Sequence, residues 1–196
     1  MKPKVITINR EFGSNGREVG RLLAEKLKVH FYDKVLLKMV QENCDIPYEE
    51  LIKVDETAAS KWRFPVDSEY QMQNKFHFEP VNDILFHEES KLIRELAAKE
   101  PCVIVGRCSN YLLKDIPDHL SVFVYAPVEE RIRTVIERDG IDEETARALV
   151  KKIDKQRRMY YNYHTDEKWT DMEQYDLCVD SSRFSLDEIV NMITEL

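Results

Sequence analysis

Several large functional classes are excluded by what the chain does not contain. Its four cysteines, Cys44, Cys102, Cys108 and Cys178, form no C-x-x-C pair and sit mostly in apolar or strand-like surroundings. Together with an N-terminus in which Lys2 and Lys4 lead into a short strand, with no signal-type apolar core, they give the expectation of a reduced, cytoplasmic protein with buried thiols. No apolar run approaches the length of a membrane span, so no membrane partner is expected. His87-Glu88-Glu89 is not followed by a second histidine, because position 91 is Lys, and the H-E-x-x-H zinc-protease spacing is absent. Gly13-Ser14-Asn15-Gly16 does not supply G-x-G-x-x-G, which argues against a dinucleotide-dependent oxidoreductase. The formal net charge of −8 argues against a broad nucleic-acid footprint and leaves room only for a local basic cluster in a cleft.

What is present begins with residues 4–27, KVITINREFGSNGREVGRLLAEKL. The β-branched run Val5-Ile6-Thr7-Ile8 enters a turn containing Gly13 and Gly16, after which Val19, Leu22, Leu23 and Leu27 recur with helical spacing. A strand, a glycine-containing turn and a helix, in that order, are the parts of a phosphate cradle, because turn N–H groups and a helix N-terminus converge on one anion. The usual G-x-x-x-x-G-K-[ST] pattern is not met. Glu11 stands where its first glycine would be, and Gly16 is followed by Arg17-Glu18. With 196 residues and 43% hydrophobic content, the chain can bury one sizeable core and reads as one domain.

Val29-His30-Phe31-Tyr32 suggests a second short strand, and Asp33 is either the cap of the next helix or a polar group at the substrate end of a sheet. From Asn43 to about Gln73 the pattern weakens into a short acidic helix, Tyr48–Asp55, and an irregular stretch carrying Trp62, Phe64 and Pro65, sized for a cap or a dimer contact. His77, between Phe76 and Phe78, reads as a packing or surface residue. A clear helix spans 81–99, with Val81, Ile84, Leu85, Glu88, Leu92, Ile93 and Leu96 on its stripe and Glu100-Pro101 after it.

Cys102-Val103-Ile104-Val105 is an unbroken apolar run of the kind buried between two helical layers, and it stops at Gly106-Arg107. That places an arginine either in a surface salt bridge or at the carboxyl edge of a parallel sheet, where its planar fork suits a phosphate. Leu120–Ala126 followed by Pro127 and a helix over 128–137 repeats the strand–helix alternation of a three-layer α/β domain. On that helix Arg131 and Arg133 either join solvated ion pairs or turn toward the phosphate end. Asp142 then caps a helix running through Ala146, Leu149, Val150 and Ile153. Residues 151–158 hold five basic side chains and one acid in an otherwise acidic protein, a concentration that repels itself unless an anion is present. Asp154 and Arg158 are spaced to pair. Basic residues beside Met159-Tyr160-Tyr161-Asn162-Tyr163 admit a nucleic-acid reading, but no RNA-binding signature accompanies them, and a lid closing over a phosphate fits better. Tyr175–Val179 forms a last strand and Leu186–Leu196 a closing helix.

The segments ITINREFGSNGREVG, FYDK, VIVGRCSNYLL, FVYAPVEERI and KKIDKQRRMYY together resemble the cytidylate-kinase-like family of P-loop proteins over about residues 3–195. The resemblance implies an α/β, three-layer P-loop kinase fold with a five-stranded parallel sheet, a helical monophosphate-binding region at 34–98 and a lid at 138–163. It further implies that Gly13, Ser14, Asn15, Gly16, Arg17 and Glu18 form the triphosphate loop, Arg17 standing for the P-loop lysine and Glu18 for the Mg²⁺-associated hydroxyl residue. Asp33 and Arg107 would serve the acceptor. Arg157 and Arg158 would be lid arginines that, with Arg17, stabilise the transferring group. Four positions differ from the family pattern: arginine at 17, glutamate at 18, Gly-Arg-Cys in place of Gly-Arg-Asp at 106–108, and asparagine for glycine at 15.

The expected activity is ATP-dependent phosphoryl transfer to a nucleoside monophosphate, CMP or dCMP, with Mg²⁺ bridging donor phosphates and no dedicated protein metal site. Positioned positive charge suffices for such chemistry without a covalent nucleophile. A nucleotide-binding regulatory protein and a P-loop kinase for a non-nucleotide phosphate acceptor are the alternatives. Oligomeric state is not legible in the sequence.

Overall fold

The computed structural model describes residues 4–43, 46–57 and 80–196. Readings that fall on Cys44, Trp62, Phe64, Pro65, Phe76, His77 and Phe78 lie outside the described residues. Five strands, β1 (Val5–Arg10), β2 (His30–Tyr32), β3 (Cys102–Val105), β4 (His119–Tyr125) and β5 (Leu177–Asp180), make one sheet in the order β2-β3-β1-β4-β5, with every pairing parallel. Parallel neighbours cannot be joined by hairpins, so the intervening chain must cross over a face of the sheet. It does so through α1 (Gly16–Leu27), α2 (Val35–Asn43), α3 (Tyr48–Val54), α4 (Val81–Lys99), α5 (Ser109–Leu112), α6 (Val128–Asp139) and α7 (Glu143–Thr165), and α8 (Leu186–Glu195) closes the chain.

Strand periodicity sorts the core into two layers. Ile6, Ile8, Val103, Val105, Val122 and Val124 pack with Val19 and Leu23 of α1 and Ile189 and Ile193 of α8. Val5, Cys102 and Ile104 point the other way, into Leu36 and Val40 of α2, Leu51 of α3, Leu85 and Ile93 of α4, and Leu112 of α5. All six residues of β1 are buried, as expected of a strand with partners on both edges and helices on both faces. The 34–98 region is, in its described part, the helical layer formed by α2, α3 and α4. The 138–163 region is mainly α7, which pairs with α6 through Ile132, Val135, Ala146 and Val150.

Asp142 caps α7 as expected, accepting from the Thr145 N–H at 2.9 Å. The α4 stripe needs a correction of one position. Its buried carboxylate is Glu89, not Glu88, because 89 lies four residues from both Leu85 and Ile93. Cys102 and Cys108 are buried free thiols and Cys178 is half-buried.

Candidate active site

The connections leaving the adjacent strands β1 and β3 go to opposite faces, β1 into α1 and β3 into α5. An open α/β sheet forms its crevice at such a point, beyond the carboxyl ends of the strands. The glycine turn occupies one wall. Gly13 has φ +83°, and a Cβ there would lie 2.6 Å from the Arg131 carbonyl oxygen, so only glycine lets the turn press against α6. Ser14 is buried with its hydroxyl 2.9 Å from the carbonyl oxygens of Glu11 and Val124. Asn15 is left-handed (φ 60°) and gives α1 no side-chain cap, which leaves the first-turn N–H groups of a 12-residue helix for an anion.

The turn is latched from outside by a buried ion pair. Asp154 of α7 accepts from the Phe12 N–H at 2.8 Å and from Arg131 Nη1 at 2.5 Å, while Arg131 also donates to the Phe12 carbonyl at 3.1 Å. Asp154 therefore does not pair with Arg158: it faces inward, where the turn and Arg131 compensate its charge. Of the two α6 arginines left open by the sequence, Arg131 turns to the site and Arg133 pairs with Glu130 on the surface.

The opposite wall is a cluster of arginines and carboxylates. Gly106, Arg107 and Cys108 have successive φ values of 78°, 53° and 55°. Left-handed backbone costs a non-glycine residue about 1–2 kcal/mol, so this turn is held by its surroundings. Arg107 is 2% exposed. It donates to Glu89 at 2.5 Å, to Asp55 at 2.9 Å and to the Val105 carbonyl at 3.4 Å, with Asp33 at 3.7 Å. The Glu56 carboxylate accepts from Arg10 through both Nη atoms (2.6 and 3.0 Å), from Arg157 Nε at 3.2 Å and from the Arg107 backbone N–H at 3.3 Å. Arg157 also donates to the Arg10 carbonyl at 3.2 Å, and Arg17 Nε donates to Asp33 at 2.5 Å.

Charge states follow from burial and neighbours. Burial would raise Glu56, but Arg10 and Arg157 outweigh it and hold the carboxyl far below the usual range. Asp33 is likewise held low against burial by its Arg17 hydrogen bond and by Arg10 and Arg107. Glu89 is pushed up by burial and by its neighbours Asp55 and Glu56, against the pull of Arg107. Arg157 is pushed down to about 10 by burial and by the like charge of Arg10. Burial raises Cys108, which keeps it a thiol and gives the third position of Gly106-Arg107-Cys108 no anionic role.

This second wall encloses a small pocket lined by Asn9, Arg10, Glu56, Arg107, Cys108, Arg157, Tyr160, Tyr161 and Trp169. The structure thus gathers Asp33, Arg107, Arg157 and, through Asp33, Arg17. It does not gather Arg158, which is exposed on α7, or Glu18, which pairs with Arg21 at 2.6 Å on the surface of α1. Among the described residues no three His, Cys, Asp or Glu side chains converge on a metal position. With Ser14 directed to backbone carbonyls and Glu18 to Arg21, the glycine turn does not fit a protein-held Mg²⁺.

Arg10, Asp55, Glu56 and Glu89 were missed by the sequence reading. Arg10 was findable, since it ends a buried strand as Arg107 follows one. Glu89 was findable from the α4 stripe. Nothing local distinguishes Asp55 or Glu56 from other acids in a polar segment.

The chain is similar in sequence and in fold to known proteins. A cytidylate kinase from Methanopyrus kandleri (strain AV19) is 27% identical to the chain, over 96% of the chain and 90% of that protein. The crystal structure of an uncharacterized protein from Eubacterium ventriosum ATCC 27560 is 30% identical, with TM-score 0.72 and 97% and 96% of the two chains covered. Shikimate kinase from Bacteroides thetaiotaomicron, at 15% identity and TM-score 0.56 over 97% of this chain and 96% of that one, shares the P-loop kinase fold. The model of the cytidylate kinase-like family matches residues 5–183, and the chain belongs to that family.

Proposed function

We propose that the protein transfers a phosphoryl group from ATP to a nucleoside monophosphate, with CMP or dCMP as the acceptor. The observation that carries the reading is the convergence of Arg10, Arg107 and Arg157 on one buried space beside an uncapped helix N-terminus. Phosphoryl transfer asks for positioned positive charge around a group in flight, and water exclusion protects the donor from hydrolysis. In this reading the backbone of residues 13–18 cradles the donor phosphates, and a Mg²⁺ accompanying the donor would add positive charge there without a protein ligand from the turn. Asp33 and Arg107 serve the acceptor, and α7 acts as the lid. Arg157 and Arg17 supply charge at the transfer point, and Arg158 does so only if α7 shifts, since it faces solvent here. Membership of the cytidylate kinase-like family, and a relative named cytidylate kinase that aligns over nearly the whole chain, support this assignment.

A coupled ADP-release assay over a panel of nucleoside monophosphates tests it. Acceptor-dependent turnover highest with CMP or dCMP is expected, and none with CMP, dCMP or UMP would overturn the substrate assignment. One observation favours a second reading, a nucleotide-binding protein with little transferase activity: the donors of Arg107 are already taken by Glu89, Asp55 and the Val105 carbonyl. Saturable ATP or CMP binding without transfer would select it.

A further inference from the structure

Glu56 is bound as a ligand would be. Its carboxylate lies in the pocket, and its donors come from three separate elements: Arg10 at the end of β1, Arg157 on α7, and the Arg107 N–H in the turn after β3. Glu56 itself stands just beyond α3, with φ +50°, a conformation that side chains other than glycine adopt only under constraint. The cradle is lined by backbone on the β3 side. A Cβ at Gly106 would collide with both Glu56 Oε1 and Arg10 Nη1, so the space is shaped for an anion and its guanidinium.

The resident does not saturate the site. Arg10 Nε is buried and has no hydrogen-bond partner. Two guanidinium groups share one carboxylate, and Arg157 is held low first by burial and then by the like charge of Arg10. A tetrahedral oxyanion with two charges and more than two oxygens satisfies more of these donors than a carboxylate does.

We propose that Arg10, Arg157 and the Arg107 backbone N–H form a site for a phosphoryl-type oxyanion, which the Glu56 carboxylate fills in the free protein and vacates when such an anion binds. The ligand class rests on the phosphotransferase reading; binding at the site does not require transfer. An internal occupant raises the apparent Kd by the reciprocal of the fraction of time the site is open.

Titration of the full chain with sodium phosphate by calorimetry, against sodium chloride at matched ionic strength, tests the site. Glu56→Gln is expected to bind orthophosphate about tenfold or more tighter than wild type, the order of ordinary coupling between linked ligands. Equal affinity in the two proteins overturns the proposal. Should Glu56→Gln fold only in phosphate, that dependence supports it. Should it not fold in either salt, a crystal structure of the wild type at saturating phosphate decides: phosphate on Arg10 and Arg157 with Glu56 displaced supports the site, and Glu56 still bridging both arginines overturns it. A protein that binds phosphate this way but transfers nothing from ATP keeps the site and loses the proposed function. Turnover in a protein whose Glu56 never leaves does the reverse.

Discussion

Arg107 is a guanidinium with almost no access to water, and the carboxylates around it are what make that tenable. Its fork spreads over Glu89, Asp55 and a carbonyl, so each donor finds an acceptor without solvent. Removal of a single partner leaves buried donors unpaired and a cavity beside them. Glu89, 1% exposed and anchored on the long helix α4, is the partner least able to be replaced by water. Glu89→Ala is expected to destabilise the fold by about 3 kcal/mol, read as a lower urea midpoint at unchanged slope. A change below the error of the extrapolation would show that Asp55 and Asp33 suffice. None of this pairing is local in sequence, since Arg107 and Glu89 are 18 residues apart and Arg107 and Asp55 are 52. The residue types were legible; their partners were not.

Helices set the precision with which these side chains are presented. α8 has a complete capping box: the Ser185 side chain accepts from the Glu188 N–H, and the Glu188 carboxylate accepts from the Ser185 N–H. Its buried face, Ile189, Val190 and Ile193, backs the same layer as α1, which carries the glycine turn at its N-terminus. Ser185→Ala is therefore expected to cost about 1 kcal/mol, seen as a lower thermal midpoint. An unchanged midpoint would mean that packing alone starts the helix. Element by element, the fold was largely readable. The central apolar run at 102–105, the strand before the glycine turn, and the Asp142 cap all lie where period and capping chemistry place them. What periodicity could not supply was which way α7 turns its polar residues. The 3.6-residue repeat sets both 157 and 158 beside 154; Asp154 and Arg157 are held inward by the Phe12 N–H, Arg131 and Glu56, while Arg158 is left exposed.

For the molecule as a whole, one source of acid sensitivity lies where α7 meets α4. His164 of α7 stacks on Phe86 of α4 with ring centroids 3.8 Å apart and meets Tyr160 and Tyr163 edge-on. Its Nε2 is buried without a partner, and burial pushes the ring's pKa down from 6.5 to about 4. The folded state then resists a proton that the unfolded chain accepts, so this group's contribution is complete above pH 6.5 and is lost as pH falls toward about 4. His164→Phe removes both the titration and the orphaned nitrogen. Denaturation midpoints measured between pH 7.5 and pH 4.5, on the order of one and two units either side of the histidine range, are expected to fall less in the variant than in wild type. Parallel curves would assign the acid sensitivity to the carboxylate clusters.

Taken alone, the sequence determined the layered α/β architecture, the order of strands and helices along the chain, the glycine turn and the arginine after the β3 strand, because each of these rests on contacts or periodicities within a few residues. Tertiary structure decided the sheet order, the latch of Asp154 and Arg131 on the turn, and the occupation of the arginine cradle by Glu56. The latch and the occupied cradle depend on charges brought together across 23 to 101 residues of chain. A buried charge must be neutralised by whatever the fold delivers to it. The glycine turn that fails the usual pattern is thus one wall of a site whose other wall only the folded chain assembles.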